Sequence, residues 1–288
     1  MTIKFTKLQS AGNDFVLVEA GGDSHEWPRL ARDICRRNYG VGADGLLILL
    51  PSRVADLGMR VINADGSEAE ACGNGLRCLV RYAIDNGLTD ARTDEVSIET
   101  IAGIRKARLI VEKGKVNKIQ VAMGKPEFEA DKIPVLVEQG NGRLVDIKLI
   151  TDYSLNIDGK ELMLSFVSMG NPHAIYFWEG PVSEFPLSRI GQAVEKHRLF
   201  PRRVNFEVAS IINRRRIDVR VWERGVGETL ACGSGACAVA VAAQILGYVD
   251  NPVDIKLPGG TLEVAWDRVG EVVLRGMAET VFTGEWPG

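Results

Sequence analysis

ACGNGLRC, from Ala71 to Cys78, and ACGSGACA, from Ala231 to Ala238, state one motif twice, 160 residues apart. In each, a cysteine stands just ahead of a Gly-x-Gly turn and a helix-forming run. That order predicts each thiol at a helix N-terminus, where unsatisfied N–H groups and the helix dipole favour thiolate and attract anions. The echo extends upstream: Asn63 lies nine residues before Cys72, and Glu223 nine residues before Cys232. SAGNDFVLVE around Asn13 matches SMGNPHAIYF around Asn171, with 59 residues from Asn13 to Cys72 and 61 from Asn171 to Cys232. Self-similarity of this extent reads as two equivalent halves. A pseudo-twofold arrangement of such halves would turn the two cysteines toward one interdomain cleft, a common ligand site.

Between the motifs the chain is rich in strands. Alternation or β-branched content predicts them over Ile3–Leu8, Phe15–Glu19, Leu46–Leu50, Gly58–Asn63, Glu95–Thr100, Arg105–Glu112 and Lys118–Met123, with a comparable set after Met163. Helical spacing of apolar residues appears over Trp27–Asn38, Leu76–Asn86, Pro186–Glu195 and Gly235–Gly247. Each half is then a mixed, strand-rich α/β unit, mostly sheet around one principal helix. A doubly wound sheet would need a helix after nearly every strand. The boundary between halves is expected near Gly124–Pro126, where MGKPEF ends a strand and about 30 residues of weak periodicity follow. The expected domains are 1–126, completed by a closing strand at 278–288, and 127–277.

At 288 residues and 45% hydrophobic content the chain can bury two cores of ordinary size. Thirty-five basic against 38 acidic residues, with only Arg214–Arg216 as a basic cluster, argue against nucleic acid or an anionic membrane as partner. The longest apolar run, Gly235–Val249, is interrupted by Gln244 and Gly247 and falls short of the roughly 20 residues of a membrane span. MTIKFTKLQS lacks the apolar stretch of a signal peptide, so a cytoplasmic location is expected. Five cysteines, four of them in the two motifs, suit reduced working thiols better than a disulfide framework.

Other motifs are weaker. YGVGADG at Tyr39–Gly45 contains G-x-G-x-x-G, yet it follows a helical run and precedes the strand LLILL, the reverse of a dinucleotide fingerprint. The spacings C-x5-C and C-x4-C on helices do not suit zinc knuckles, so no metal and no cofactor are expected. Cys78 and Cys237 sit among Leu, Val and Ala and read as packing residues, as does Cys35. His25 and His197 lie in charged surroundings that read as surface, whereas His173 follows the turn Gly170-Asn171-Pro172 inside the repeated segment.

Two thiols at helix ends suit redox exchange, and they equally suit a two-base proton transfer at carbon. In the second case a thiolate takes a proton from one face, a thiol returns one to the other, and the centre inverts. The N–H groups of Gly73, Asn74, Gly233 and Ser234 would then hold a carboxylate.

The residues also carry a resemblance. AGNDF (Ala11–Phe15), NADGSEAEACGNGLRC (Asn63–Cys78), SMGNPHA (Ser168–Ala174), RVNFE (Arg203–Glu207) and ERGVGETLACGSGACA (Glu223–Ala238) together resemble the diaminopimelate epimerase family over nearly the whole chain. The resemblance implies a cofactor-independent epimerase interconverting LL- and meso-diaminopimelate, a precursor of lysine and peptidoglycan, commonly as a homodimer. It implies Cys72 and Cys232 as catalytic thiols tuned by His173 and Glu223. Asn13, Asn63, Asn171, Asn205 and Arg224 would bind the substrate through their side chains, and Gly73-Asn74 and Gly233-Ser234 would be the turns that hold a carboxylate. One position departs: Asp44-Gly45 stands where many members read D-Q, which removes an amide. Phe282 matches an aromatic often found at the dimer interface. A proline or histidine racemase on the same scaffold is the enzyme alternative, and Asn63, Asn205, Glu223 and Arg224 weigh against it because they offer groups for a second ammonium and carboxylate.

Overall fold

In the computed structural model, which describes residues 2–21, 26–69, 72–90, 92–113, 115–138, 140–145 and 149–287, the chain divides into two units. The first comprises Met1–Ala122 and Arg275–Gly288, the second Met123–Leu274. His25 and Ala71 lie outside the described residues.

The first unit runs β1 (Thr2–Ser10), β2 (Asn13–Glu19), α1 (Trp27–Ile34), β3 (Gly45–Leu50), β4 (Leu57–Asn63), β5 (Glu68–Ala69), α2 (Gly73–Asp85), β6 (Glu95–Thr100), β7 (Gly103–Glu112) and β8 (Lys115–Ala122). The second continues with β9 (Arg143–Val145), β10 (Leu149–Ile157), β11 (Lys160–Ser168), β12 (Pro172–Phe177), α3 (Leu187–Glu195), β13 (Asn205–Asn213), β14 (Arg216–Glu223), β15 (Gly227–Thr229), α4 (Gly233–Ile245), β16 (Val253–Leu257) and β17 (Gly260–Ala265). β18 (Val273–Gly276) leads to β19 (Glu279–Pro287), which pairs antiparallel with β1 in the first unit, Phe5 opposite Gly284.

The duplication read from the sequence is written into the strand order. In the first unit β1 pairs antiparallel with β2, β2 parallel with β3, β3 antiparallel with β4 and β4 parallel with β6. In the second, β11, β12, β13, β14 and β16 repeat that alternation. A parallel pair needs a crossover, usually a helix. α1 and α3 lie on the first crossover of each unit, α2 and α4 on the second. Both β1–β2 and β11–β12 turn at a glycine held at positive φ, Gly12 at 80° and Gly170 at 87°, which is why the matching segments read A-G-N and M-G-N.

Burial explains the strand sequences. GLLILL of β3 is apolar throughout because both its faces are covered. Leu46 and Ile48 join Val16, Val18 and Ile62 under Ala31 and Ile34 of α1, while Leu47 faces α2 at Gly75. In the second unit Phe206 and Val208 of β13 pack with Ile190 and Val194 of α3, and the alternate residue Glu207 reaches α4 at Gly235. Each cysteine helix is thus its unit's inner layer. Every residue of α4 except Ser234 is buried, as an all-round apolar helix requires. The strand-rich mixed α/β class expected from the sequence is the class observed.

Three expectations change in detail. α1 ends at Ile34 rather than Asn38 because Arg37 leaves the helix to pair with Asp14 and Asp44 at 2.7 and 2.6 Å. α2 and α4 begin at Gly73 and Gly233, so the Gly-x-Gly segments are the first helical turns rather than turns ahead of them. The stretch after Pro126 contains β9 and the start of β10, and buries Ile133 and Val135.

Candidate active site

Cys72 and Cys232 occupy one local structure twice. Each is the N-cap of its helix, in extended backbone (φ −147°, ψ 108° and φ −125°, ψ 114°), and each sulfur accepts a hydrogen bond from the N–H three residues on. Those bonds measure 3.3 Å from Gly75 and 3.4 Å from Gly235. A side chain that caps the third N–H takes one of the four donors a helix start leaves unpaired. The other N–H groups of a helix's first turn are where an anion would be stabilised.

Around Cys72 the first unit assembles an amide and charge network. Asn13 Nδ2 donates to Asp44 at 2.6 Å, and Asn13 Oδ1 accepts from Asn74 Nδ2 at 3.0 Å. Asn74 Oδ1 in turn accepts from Arg77, one helical turn on, whose Nε donates to Ser10 at 3.0 Å. Arg77 is wholly buried, so this chain fixes the loop amide from inside the core. Burial pushes the Asp14 carboxyl up, but Arg37 and Lys7 outweigh it and hold it below the usual carboxylate range. Asn63 lies apart from this chain, donating to Ser67 Oγ at 2.9 Å. Gly45 opens β3, and a Cβ there would stand 3.0 Å from the Ile62 carbonyl oxygen.

Around Cys232 the second unit gathers titratable groups. His173 Nδ1 lies 2.7 Å from Glu207 Oε1 and Nε2 lies 3.0 Å from Asn171 Oδ1. Asn171 Nδ2 donates to Ser234 Oγ at 3.3 Å, and Ser234 Oγ is 3.4 Å from Cys232 Sγ. Glu223 Oε1 accepts from Thr229 Oγ1 at 2.5 Å, and the Glu223 carboxylate also engages the Cys232 thiol. Burial pushes Glu223 up from the usual carboxylate range, while its bonds to Thr229 and Cys232 pull the other way. Burial likewise pushes the Cys232 thiol well up, and the charges of Glu223 and Glu207 push it further. The helix-end N–H opposes them without prevailing. The sequence expectation that the helix N-terminus favours thiolate is therefore corrected at Cys232, where desolvation and two carboxylates favour the thiol.

Asn205 and Arg224 are tied to each other. Asn205 Oδ1 accepts from the Arg224 backbone N–H at 2.9 Å and its Nδ2 donates to Pro172 O at 3.0 Å, so both ends of this buried amide bond within the protein. The Arg224 guanidinium is exposed and donates to Arg202 O at 3.2 Å. Glu195 secures the next residue, accepting from Gly225 N at 2.9 Å and from Trp222 Nε1 at 2.8 Å. Glu207, Glu195, Thr229 and Arg77 are the participants sequence reading passed over. An acidic residue inside the apolar strand NFEVAS was the signal for Glu207. Cys35, Cys78 and Cys237 are buried, and burial pushes Cys35 up to about 12. His197 packs partly buried beside Leu199, whose N–H it accepts.

Among the described residues no cluster of three or more His, Cys, Asp and Glu side chains is placed to hold a metal ion, and no helix is long and apolar enough to cross a membrane. Comparison with known proteins places the chain. The family model described as diaminopimelate epimerase matches residues 5–129 and 165–281. The chain belongs to the diaminopimelate epimerase family. It is 44% identical to the diaminopimelate epimerase of Desulfovibrio desulfuricans over 99% of both chains. It is also 44% identical to those of Moorella thermoacetica and Methanococcus maripaludis, in each case over 98% of this chain and 99% of the relative. Among solved structures, a phenazine biosynthesis protein of the PhzF family from Bacillus anthracis superposes with a TM-score of 0.69 at 18% identity, covering 100% of this chain and 99% of that one. A hydroxyproline epimerase from Agrobacterium vitis superposes with a TM-score of 0.69 at 14% identity, covering 99% and 92%. These distant likenesses speak to the fold the family shares.

Proposed function

We propose that the protein is a cofactor-independent amino-acid epimerase that interconverts LL- and meso-diaminopimelate by moving a proton at one α-carbon between two thiols, Cys72 and Cys232. The observation that carries this reading is the doubled N-cap cysteine, one in each unit, in a chain of this family. Two equivalent acid/base groups are what inversion at carbon requires, since one must accept a proton while the other donates. The N–H groups at Gly73-Asn74 and Gly233-Ser234 would hold the carboxylate next to the reacting carbon as carbanion character grows. Glu223, already in contact with Cys232, and His173, linked to it through Asn171 and Ser234, would manage the proton on that sulfur. Asn13, Asn63 and Asn171 would orient the substrate's polar groups. Asn205 acts through the Arg224 backbone, leaving the guanidinium to meet the distal carboxylate.

The same reading makes the protein cytoplasmic, with its product feeding lysine and peptidoglycan precursors, and a homodimer. Phe282 on β19 supports the last point, being 46% exposed while its ring stands edge-on to Phe5. Purified, reduced protein supplied with LL-diaminopimelate should yield the meso isomer, and should racemise L-proline or L-histidine only several orders of magnitude more slowly. Racemisation of proline or histidine in preference to diaminopimelate would keep the thiol chemistry and discard the substrate. Oxidation or reduction of the thiols during turnover without inversion would make the pair a redox couple instead.

A further inference from the structure

Glu207 is a buried acid in the second unit. Its side chain is wholly buried, as is that of His173, and the two meet at 2.7 Å. Its second oxygen, Oε2, has no hydrogen-bond partner among the described residues. A buried carboxylate with an unpaired oxygen is costly, and an apolar side chain of similar volume would fill the space more stably. Such groups persist where position matters more than stability.

The local geometry shows what is positioned. β12 and β13 pair in parallel with His173 beside Asn205, which puts His173 and Glu207 diagonally on the face under α4. A Cβ at residue 235 would lie 2.7 Å from Glu207 Oε1, so the helix comes down onto the carboxylate because that residue is glycine. Both ring nitrogens of His173 face oxygens that only accept, Nδ1 the Glu207 carboxylate at 2.7 Å and Nε2 the Asn171 amide oxygen at 3.0 Å. The carboxylate, the stronger acceptor, holds the Nδ1 proton and turns Nε2 toward Asn171 and the Ser234 turn. The other titratable groups acting on this pair are Glu223 from the end of β14 and Cys232 from the start of α4.

We propose that Glu207 is a positioning residue for the epimerase: by accepting the Nδ1–H of His173 it fixes the orientation and tautomer of that ring, so that Nε2 serves the Asn171–Ser234–Cys232 turn. This rests on the reading that His173 and Cys232 take part in epimerisation. Orienting a histidine through its remote nitrogen is a general device, and loss of such a partner commonly costs on the order of 10- to 100-fold.

The test separates the two claims. The chain has three histidines, so 15N spectra of histidine-labelled protein can be assigned with His25→Asn and His197→Asn variants. In the unsubstituted protein, without substrate, His173 Nδ1 should carry a proton. In Glu207→Leu the ring should lose that preference. An unprotonated Nδ1 in the unsubstituted protein would overturn the proposal whether or not the protein is an epimerase. With LL-diaminopimelate, the folded fraction of Glu207→Leu, which leaves Nδ1 no acceptor, should show kcat about 10-fold lower or more with KM within about 3-fold, and Glu207→Gln, which keeps an accepting oxygen, should recover part of that loss. A folded Glu207→Leu enzyme with unchanged kcat, losing only stability, would reduce Glu207 to a packing residue and overturn the proposal. Activity absent from the unsubstituted protein would instead strike at the epimerase reading.

Discussion

The backbone N–H of Gly235 donates to the sulfur of Cys232 across 3.4 Å. The same bond joins Gly75 to Cys72 across 3.3 Å, 160 residues earlier. The two sulfurs share a cap geometry and differ in their surroundings. Cys232 is 6% exposed between two carboxylates, whereas Cys72 is only partly buried.

That difference predicts an order of alkylation. Only the thiolate reacts, and reaction needs access. Iodoacetamide at neutral pH should modify Cys72 first and Cys232 much later, with Cys35 and Cys78 unmodified until the protein unfolds. Peptide mapping of a time course reads this directly. Cys232 modified ahead of Cys72 would mean that burial and the neighbouring carboxylates do not govern its reactivity.

Substitution should separate working thiols from packing thiols. Cys72→Ala and Cys232→Ala should each lower epimerisation by roughly 10²-fold or more, the usual worth of a positioned acid or base. Cys78→Ala and Cys237→Ala, in the fully buried faces of α2 and α4, should cost about 1–2 kcal/mol of stability and leave most turnover in the folded fraction. Steady-state rates alongside urea melts distinguish the outcomes, and near-normal turnover by folded Cys232→Ala would defeat the two-thiol assignment.

Stability should fall in alkali. Burial raises Cys35 to about 12 and pushes Cys78 and Cys232 above the ordinary thiol range. A group with a raised folded value contributes its stability in full below the unfolded value and loses it as pH climbs from there through the folded one. The unfolded chain ionises its thiols above roughly pH 8.5 while the folded chain keeps them protonated, so each such thiol costs about 1.4 kcal/mol per pH unit in that window. Urea midpoints from about pH 8 to about pH 11 should decline, and Cys35→Ala should decline less steeply. An identical slope in that variant would contradict the assignment.

Arg224→Met tests the choice of substrate. If the guanidinium meets the distal carboxylate, its loss leaves a bound charge unpaired at a cost of roughly 2–5 kcal/mol, and diaminopimelate turnover should fall steeply. A monoamino acid never makes that contact, so its poor turnover should hardly change. Parallel kinetics on diaminopimelate and proline give the ratio, and an equal fall for both substrates would place Arg224 outside the distal contact.

Much of the architecture was legible because the chain is written twice. The A-G-N and M-G-N turns, the paired spacings to Cys72 and Cys232, and the apolar run of β3 each reflect a local requirement, a positive φ, a cap or two-sided burial, that one segment of sequence can express. What escaped was set by tertiary contact. The acid inside NFEVAS marks Glu207 as out of place, but nothing local says what it meets until α4 covers it. The bond from Arg77 back to Ser10 spans 67 residues. The Cys232 thiol sits high because burial, and then Glu223 and Glu207 converging from separate strands, outweigh the helix end, a balance the helix-end argument alone could not weigh. Arg37 drew α1 short for the same reason, its partners Asp14 and Asp44 lying on other segments.

The central claim, proton transfer at an α-carbon by two thiols, is tested most directly by following LL-diaminopimelate in D2O with the reduced protein by proton NMR. The account predicts that the α-proton signal decays as meso-diaminopimelate appears, each inverted centre carrying solvent deuterium, and that this stops in both Cys72→Ala and Cys232→Ala. Inversion without deuterium at the α-carbon, or undiminished exchange and inversion in either variant, would contradict it.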